Sequence, residues 1–487
     1  TVYRKTGHLE DAEASCRRAI KLDPDLAGAH DVLGNVHMAQ GLIEKAAACF
    51  HRAIALDGEF AEAHNDLGNA LNDLRDLDGA LNAYQTAMDL AAAGTRAWTD
   101  AGRNYLLTSL YQPGLSNKDL FVRYRGTVKF PAKSPSPEQA PSPAAPVKPG
   151  HRLRVGYVSS DFRYHPVGNN VAPLLANHDH GRVEVFCYAH VMATDNVSEA
   201  FKGHADHWRV INAMTDAEVA QALRADGIDV AVYLGGHFDE NRPGVAAHRA
   251  ALVQVSMHGG STTAIDAMDY WLSDDALHPP DEVGGAERFS ETLWRLPNFF
   301  AFSKPPDAPE VSALPADENG YVTFVSFNKP CKMNGDVLDV WSGVLNAVAD
   351  SRLILKFRNH LSDAALARPI RDHLEANGIA PERIEMIAAL DDIGQHLAHY
   401  RLGDIALDPF PFCGATTTFQ ALWMGLPVVS LYGERFIGRM TASISHHAGL
   451  DDLAAAGPAE YIDAAQALAA DLGRLGDLRK TPRDRVA

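Results

Sequence analysis

The sequence is short of several things. Its five cysteines (Cys16, Cys49, Cys187, Cys331 and Cys413) lie far apart and form no C-x-x-C pair. That spacing excludes a thiolate zinc site and a disulfide scaffold, and reads as single thiols in a reducing compartment. No apolar run is long enough to span a bilayer, and no secretory leader pattern is present. The expectation is a cytoplasmic protein with no membrane contact. Basic residues are outnumbered, 44 Lys and Arg against 62 Asp and Glu, for a formal net charge of −18. A chain this acidic lacks the basic footprint that nucleic acid demands, which leaves room only for local basic pockets that take small phosphates. What is present is globular: 46% hydrophobic and 22% charged residues over 487 positions, enough for two to four domains.

The first third repeats. Ala29, Ala63 and Ala97 lie 34 residues apart, and the text around them realigns as "AHDVLGNVHMAQG", "AHNDLGNALNDLRD" and "AWTDAGRNYLLTS". Ala12, Ala46 and Ala80 correspond, as do Cys16, Phe50 and Tyr84. A 34-residue period with small residues at fixed points is the tetratricopeptide signature. Small residues let paired helices approach, and larger ones fill the gaps between units. Residues 1–126 are expected to form such an array, with a concave face that takes protein or peptide segments. The first unit starts in mid-helix without a methionine, so more repeats are expected upstream. Two D-x-D sequences, Asp23/Asp25 and Asp76/Asp78, resemble a sugar-nucleotide metal motif but fall at repeat turns, where Asp is common for local reasons.

Residues 127–150, "KFPAKSPSPEQAPSPAAPVKPG" at their centre, read as a proline-rich linker. Two series of short β runs follow. The first is "LRVGYVSS", "VEVFCYAH", "IDVAVYL", "LVQVSMH" and "MDYWLSD"; the second is "YVTFVSF", "SRLILKF", "RIEMIA", "DIALDPF" and "PVVSLYG". Strands alternating with helices predict two parallel-sheet, Rossmann-like domains, 151–315 on the acceptor side and 316–487 on the nucleotide-sugar side. Ligands in such folds lie beyond the carboxyl ends of the strands.

Three loops follow strands in this way. One holds Asp161 to Gly168, with His165. A second holds Asn328 to Lys332. The third, "DPFPFCGATTTFQALW", places Gly414 and three threonines where a strand hands over to a helix. The first amides of a helix lack internal partners and the dipole makes that end positive, so this junction suits an anion; a threonine N-cap is the simpler alternative. Helix amides with the Lys332 ammonium could stabilise a departing diphosphate without a metal.

These motifs ("GYVSSDFRYHPVG", "VTFVSFNKPCK", "HLAHYRLGDIALDPFPFCGATTT", "ALWMGLPVVSLYGERFIGRM") and the repeats resemble the O-linked N-acetylglucosamine transferase family, glycosyltransferase family 41, in its bacterial SPINDLY-like branch. The resemblance covers nearly the whole chain. It implies a tetratricopeptide superhelix followed by an α/β GT-B fold, two Rossmann-like domains facing across a cleft. It implies inverting, metal-independent transfer of a sugar, N-acetylglucosamine from UDP-GlcNAc, to Ser or Thr hydroxyls of proteins bound along the repeats. No cofactor beyond the donor substrate is implied. By the same resemblance Lys332 contacts the donor diphosphate, His165 lies near the acceptor, His396 contacts the nucleobase, and Thr416 and Thr417 hold phosphate through their amides. Gly414, Gln420 and Asn328 complete the donor side. His207 in "ADHW" and His258 fall on the acceptor or sugar side.

The sequence also departs from the family. Ala415 replaces a histidine before the Thr pair, and Gln420 replaces the aspartate expected on the ribose hydroxyls. "MHGGSTTAIDAMDY" replaces the usual glycine- and proline-containing loop, and the chain stops at Ala487 before an expected closing helix. Plant SPINDLY proteins are O-fucosyltransferases, so GDP-fucose is the alternative donor. A non-catalytic scaffold with decayed transferase domains is a second alternative.

Overall fold

Alanine and glycine set the geometry of the first third. In a computed structural model that describes residues 9–128, 150–280, 288–305, 308–389, 392–480 and 483, six helices alternate there. They are α1 (Leu9–Leu22), α2 (Ala27–Gln40), α3 (Ile43–Leu56), α4 (Ala61–Asp73), α5 (Leu77–Leu90) and α6 (Arg96–Ser109). A Cβ on Gly34 would lie 2.5 Å from the Phe50 ring, and one on Gly68 2.5 Å from the Tyr84 ring. The repeat period thus preserves a glycine-against-aromatic contact that lets successive helices close up. The D-x-D sequences have local roles. Asp76 caps α5 by accepting from the Gly79 amide, and Asp23 accepts from the Asp25 amide in a turn.

The first sheet is parallel throughout: β1 (Leu153–Ser159), β2 (Val183–Ala189), β3 (His207–Val210), β4 (Val230–Leu234), β5 (Val253–Met257), β6 (Tyr270–Asp274) and β7 (Thr292–Leu296), in the order β3-β2-β1-β4-β5-β6-β7. The second is also parallel: β8 (Thr323–Ser326), β9 (Arg352–Lys356), β10 (Ile384–Ile387), β11 (Ile405–Leu407), β12 (Val428–Leu431) and β13 (Ala454–Ala455), in the order β10-β9-β8-β11-β12-β13. The expected class, tetratricopeptide helices followed by an α/β GT-B fold, is the one observed. All ten strand runs read from sequence form strands. The three missed, β3, β7 and β13, are edge strands; β3 and β7 are largely exposed and so lack the apolar signal of a buried strand.

The chain divides into two compact units that cut across the ranges expected from sequence. One joins residues 1–113 to 305–432 and 450–485; the other joins 114–304 to 433–449. In the first unit the repeats share their core with the second sheet, where Leu366 packs with Ile43, Phe50 and Leu67. One carboxylate starts two helices: Asp363 accepts from the Ala365 amide of its own helix and, at 2.9 Å, from the Ile43 amide of α3. In the second unit, helix Phe436–His447 belongs with the first sheet, because Arg439 donates to the Leu277 carbonyl and Ser443 to Asp274. The proline-rich linker falls, except for its ends, outside the described residues.

The contact at Gly34 makes a test. Gly34→Ala should lower stability by about 1–3 kcal/mol through overpacking, although alanine is the better helix former. Gly28→Ala, with no atom within 4 Å of the new methyl, should leave stability equal or raise it. Urea unfolding of the two variants reads the difference.

Candidate active site

In the second sheet the strand order reverses between β8 and β11, so the loops that follow them diverge and leave a crevice at their carboxyl ends. After β8 the chain reaches Asn328 and a tight turn over Pro330–Lys332. After β11 it passes Asp408 and Gly414 into helix Thr416–Trp423. Gly414 is forced by space. Its amide donates to Asp408 Oδ1 at 2.8 Å, and a Cβ there would meet the Thr417 and Thr418 hydroxyls at 2.6 Å.

The threonine-cap alternative fails. Ala415 occupies the N-cap position, and no side chain caps the helix. Thr416 lies inside the first turn with its hydroxyl buried and unpartnered, while the Thr417 hydroxyl donates to Asn328 Oδ1 at 3.2 Å. The positive end of this helix is left for a ligand.

Lys332 points at the same loop. Its ammonium donates to the Cys413 carbonyl at 2.7 Å and lies 4.3 Å from the centroid of the Phe412 ring. Among the described residues no carboxylate pairs with it. Burial pushes its pKa below the usual lysine value, against the opposing pull of Asp408. A half-buried cation held by a carbonyl and a ring, with Asp408 acting on it only at a distance, suits an incoming anion.

His396, on helix Ile393–His399, is held from both sides. Its Nδ1 lies 3.2 Å from Lys356 Nζ and its Nε2 3.2 Å from Gln420 Oε1. A lysine ammonium only donates, so Nδ1 accepts and Nε2–H donates to Gln420. Gln420 thereby uses its acceptor internally and leaves its amide donors for a ligand. Sequence reasoning missed Lys356, Asp408 and Phe412. Lys356 carried a signal: a charge at the end of the apolar run "RLILK", now buried at 1% exposure.

The first sheet reverses between β1 and β4, and there too the loops meet. His165 opens helix Pro166–Ala176 and accepts from the Val167 amide. Its Nε2 lies 3.0 Å from Asp239 and its Nδ1 3.4 Å from Asp161. Burial raises the Asp161 pKa, while His165 and Asn241 pull the other way. Asn241 donates to Asp161 at 2.7 Å. Asp239 adopts a left-handed φ of 49°, strain that brings its carboxylate onto the ring. These three residues offer ligand atoms within 4.8 Å of one another, a set the sequence reading, which expected no metal, did not foresee.

His207 is a correction. It opens β3 opposite Phe186, three residues before the strand's carboxyl end, and stacks on that ring while facing Glu184 at 2.9 Å. It is exposed, on an edge strand, at the amino end opposite the loops that gather the other candidates. His258 does sit at a strand end, directly after β5. It is buried against Phe299 and Phe300 at a left-handed φ of 60°, with Nε2 unpartnered. Burial lowers its pKa to about 3. The repeats hold a groove of about 320 Å³ lined by Asp31, Asn35, Glu62, Asn65, Asp66 and Asp100. No helix among the described residues is long and apolar enough to cross a membrane.

Repeats joined to two parallel sheets, the second with an uncapped helix and a lysine at its switch point, define a protein of tetratricopeptide and GT-B architecture. Residues 139–304 and 311–486 match Glycosyl transferase family 41, and residues 1–26 and 32–95 match tetratricopeptide repeat families. The chain belongs to glycosyltransferase family 41. It is 33% identical over 392 residues to the probable UDP-N-acetylglucosamine–peptide N-acetylglucosaminyltransferase SPINDLY of Solanum lycopersicum, covering 79% of this chain and 41% of that protein. The Arabidopsis thaliana SPINDLY protein is 33% identical over 396 residues, covering 80% and 42%. The chain thus spans about two fifths of the length of these curated relatives. The solved structure of a lysine-to-methionine mutant of the Thermobaculum terrenum O-GlcNAc transferase matches with a TM-score of 0.87 at 33% identity, over 99% of this chain and 91% of that one.

The burial of His258 has a pH signature. Above about pH 6.5 neither state binds the proton. Below it the unfolded chain does and the native state does not, so stability falls by up to about 1.4 kcal/mol per pH unit down to about pH 3. His258→Gly, which fits the left-handed backbone, should flatten that slope in urea titrations at pH 7, 6 and 5.

Proposed function

We propose that the chain is an inverting, metal-independent glycosyltransferase that moves N-acetylglucosamine from UDP-GlcNAc to Ser or Thr hydroxyls of proteins held along its repeats. The observation that carries this reading is the Lys332 ammonium beside an uncapped helix start. The acceptor oxygen attacks the anomeric carbon as the bond to the β-phosphate oxygen breaks. The electron pair leaves on the nucleoside diphosphate, where Lys332 and the first amides of helix Thr416–Trp423 stabilise it, and Asn328 and Gly414 shape that cradle. His396 and Gln420 hold the nucleoside. The hydroxyl proton goes to a base, a role suited to His165, whose two ring nitrogens face carboxylates. The similarity to SPINDLY and O-GlcNAc transferase proteins supports this reading.

The groove points to the kind of acceptor. Four carboxylates line it together with Asn35 and Asn65. Opposite charge steers association, so acceptors with Lys or Arg near the modified hydroxyl are favoured.

Two tests follow. Lys332→Met should abolish transfer, read by intact mass of a peptide offered UDP-GlcNAc and GDP-fucose side by side. Its melting temperature should hold or rise, because a half-buried charge with no paired carboxylate among the described residues is removed. Turnover within tenfold of the parent would refute the role of Lys332, and fucose addition would move the donor to GDP-fucose. Glu62→Gln with Asp66→Asn should raise KM for a lysine-flanked peptide about tenfold at low salt, with kcat unchanged and the difference shrinking as salt is added.

A further inference from the structure

The donor lysine does not stand on the second sheet alone. The turn that carries it is pinned by two residues of the repeats. Asp73, the last residue of α4, pairs with Lys329 at 2.7 Å, three positions before Lys332. Burial opposes the Lys329 charge, but the Asp73 carboxylate together with Cys331 and Tyr111 outweighs it and holds the ammonium well above its usual pKa. Tyr111, just beyond α6, is buried and stacks on Phe412 with ring centroids 4.9 Å apart at 20°. The Phe412 ring is the one under the Lys332 ammonium. One repeat residue therefore fixes the backbone turn, and the other fixes the ring on which the cation rests. The same two helices help line the groove, with α2: Glu62 and Asp66 lie on α4 and Asp100 on α6, while Asp73 and Tyr111 lie at their far ends.

We infer that the tetratricopeptide array is a structural part of the donor-phosphate site as well as an acceptor dock, with Asp73 and Tyr111 as positioning residues for Lys332. Each acts through a neighbour, Asp73 through Lys329 and Tyr111 through Phe412. The inference rests on the donor role proposed for Lys332. It requires that damage at the helix ends reach the diphosphate while the groove stays intact.

The test uses the full chain with UDP and GDP as calorimetric probes and a lysine-flanked acceptor peptide. Tyr111→Ala should weaken nucleotide binding at least fivefold and lower kcat at least tenfold, with KM for the peptide within twofold of the parent. Tyr111→Phe, which keeps the ring stack, should restore most of both. Asp73→Asn, nearly isosteric, carries the same test should the alanine variant fail to fold, and Asp73→Glu should recover part of the loss. Folded Tyr111→Ala and Asp73→Asn proteins with parental UDP affinity and kcat would overturn the inference. So would equal losses of kcat and peptide KM, since those mark a general collapse of the repeats. A parent that binds UDP or GDP without transferring sugar defeats the proposed activity but leaves the binding comparison decisive. A parent that binds neither overturns both readings.

Discussion

A half-buried ammonium with no anion of its own is the constraint around which the first unit is organised. Burying a charge is unfavourable unless something answers it. For Lys332 the answer is incomplete: a carbonyl at 2.7 Å and an aromatic face, with no carboxylate paired to it among the described residues. The rest of the loop supports that arrangement. Asp408 faces inward to the Gly414 amide and holds the glycine turn, and the turn hands over to a helix that begins on an alanine. Charge and dipole converge on one place where the protein supplies positive potential and leaves it unanswered.

Both sheets repeat one topological device. Where strand order reverses, two loops leave neighbouring strands in opposite directions and open a crevice at the strand ends. In the second sheet this assembles Asn328, Lys332 and Thr416–Thr417; in the first it assembles Asp161, His165 and Asp239. The residue types differ with the chemistry. One crevice gathers amides and a cation, the other a histidine between two carboxylates.

The repeats are tied into the second sheet by polar contacts as well as core packing. Asp363 starts two helices at once, and Lys329 pairs with Asp73. A partly buried pair of this kind is weak evidence for added stability, since the desolvation of both ions offsets their attraction, but it is demanding about geometry. That demand suits a turn whose purpose is to hold a neighbouring lysine in place.

Much of this was legible from sequence. The 34-residue period gave the helix pairs, because glycine and aromatic residues must recur wherever helices approach closely. The β runs gave ten of thirteen strands, because buried parallel strands are continuously apolar. The motif loops put Lys332, Gly414 and the threonine pair beyond the ends of neighbouring strands, because a loop at a topological switch point can be read from the strand order. What sequence could not give was any fact that depends on which residues meet across long separations. His207 lay in an active-site-like phrase, yet its strand register turns it to an exposed edge. Lys356 was one residue in a strand until it closed on His396, 40 positions away. Tyr111 and Phe412 belong to different domains in the linear reading and to one ring stack in space. Local pattern encodes propensity, burial and turns, and these the sequence determined by itself. Partnership between distant side chains follows only from the packing of whole elements, and the tertiary structure alone decided it.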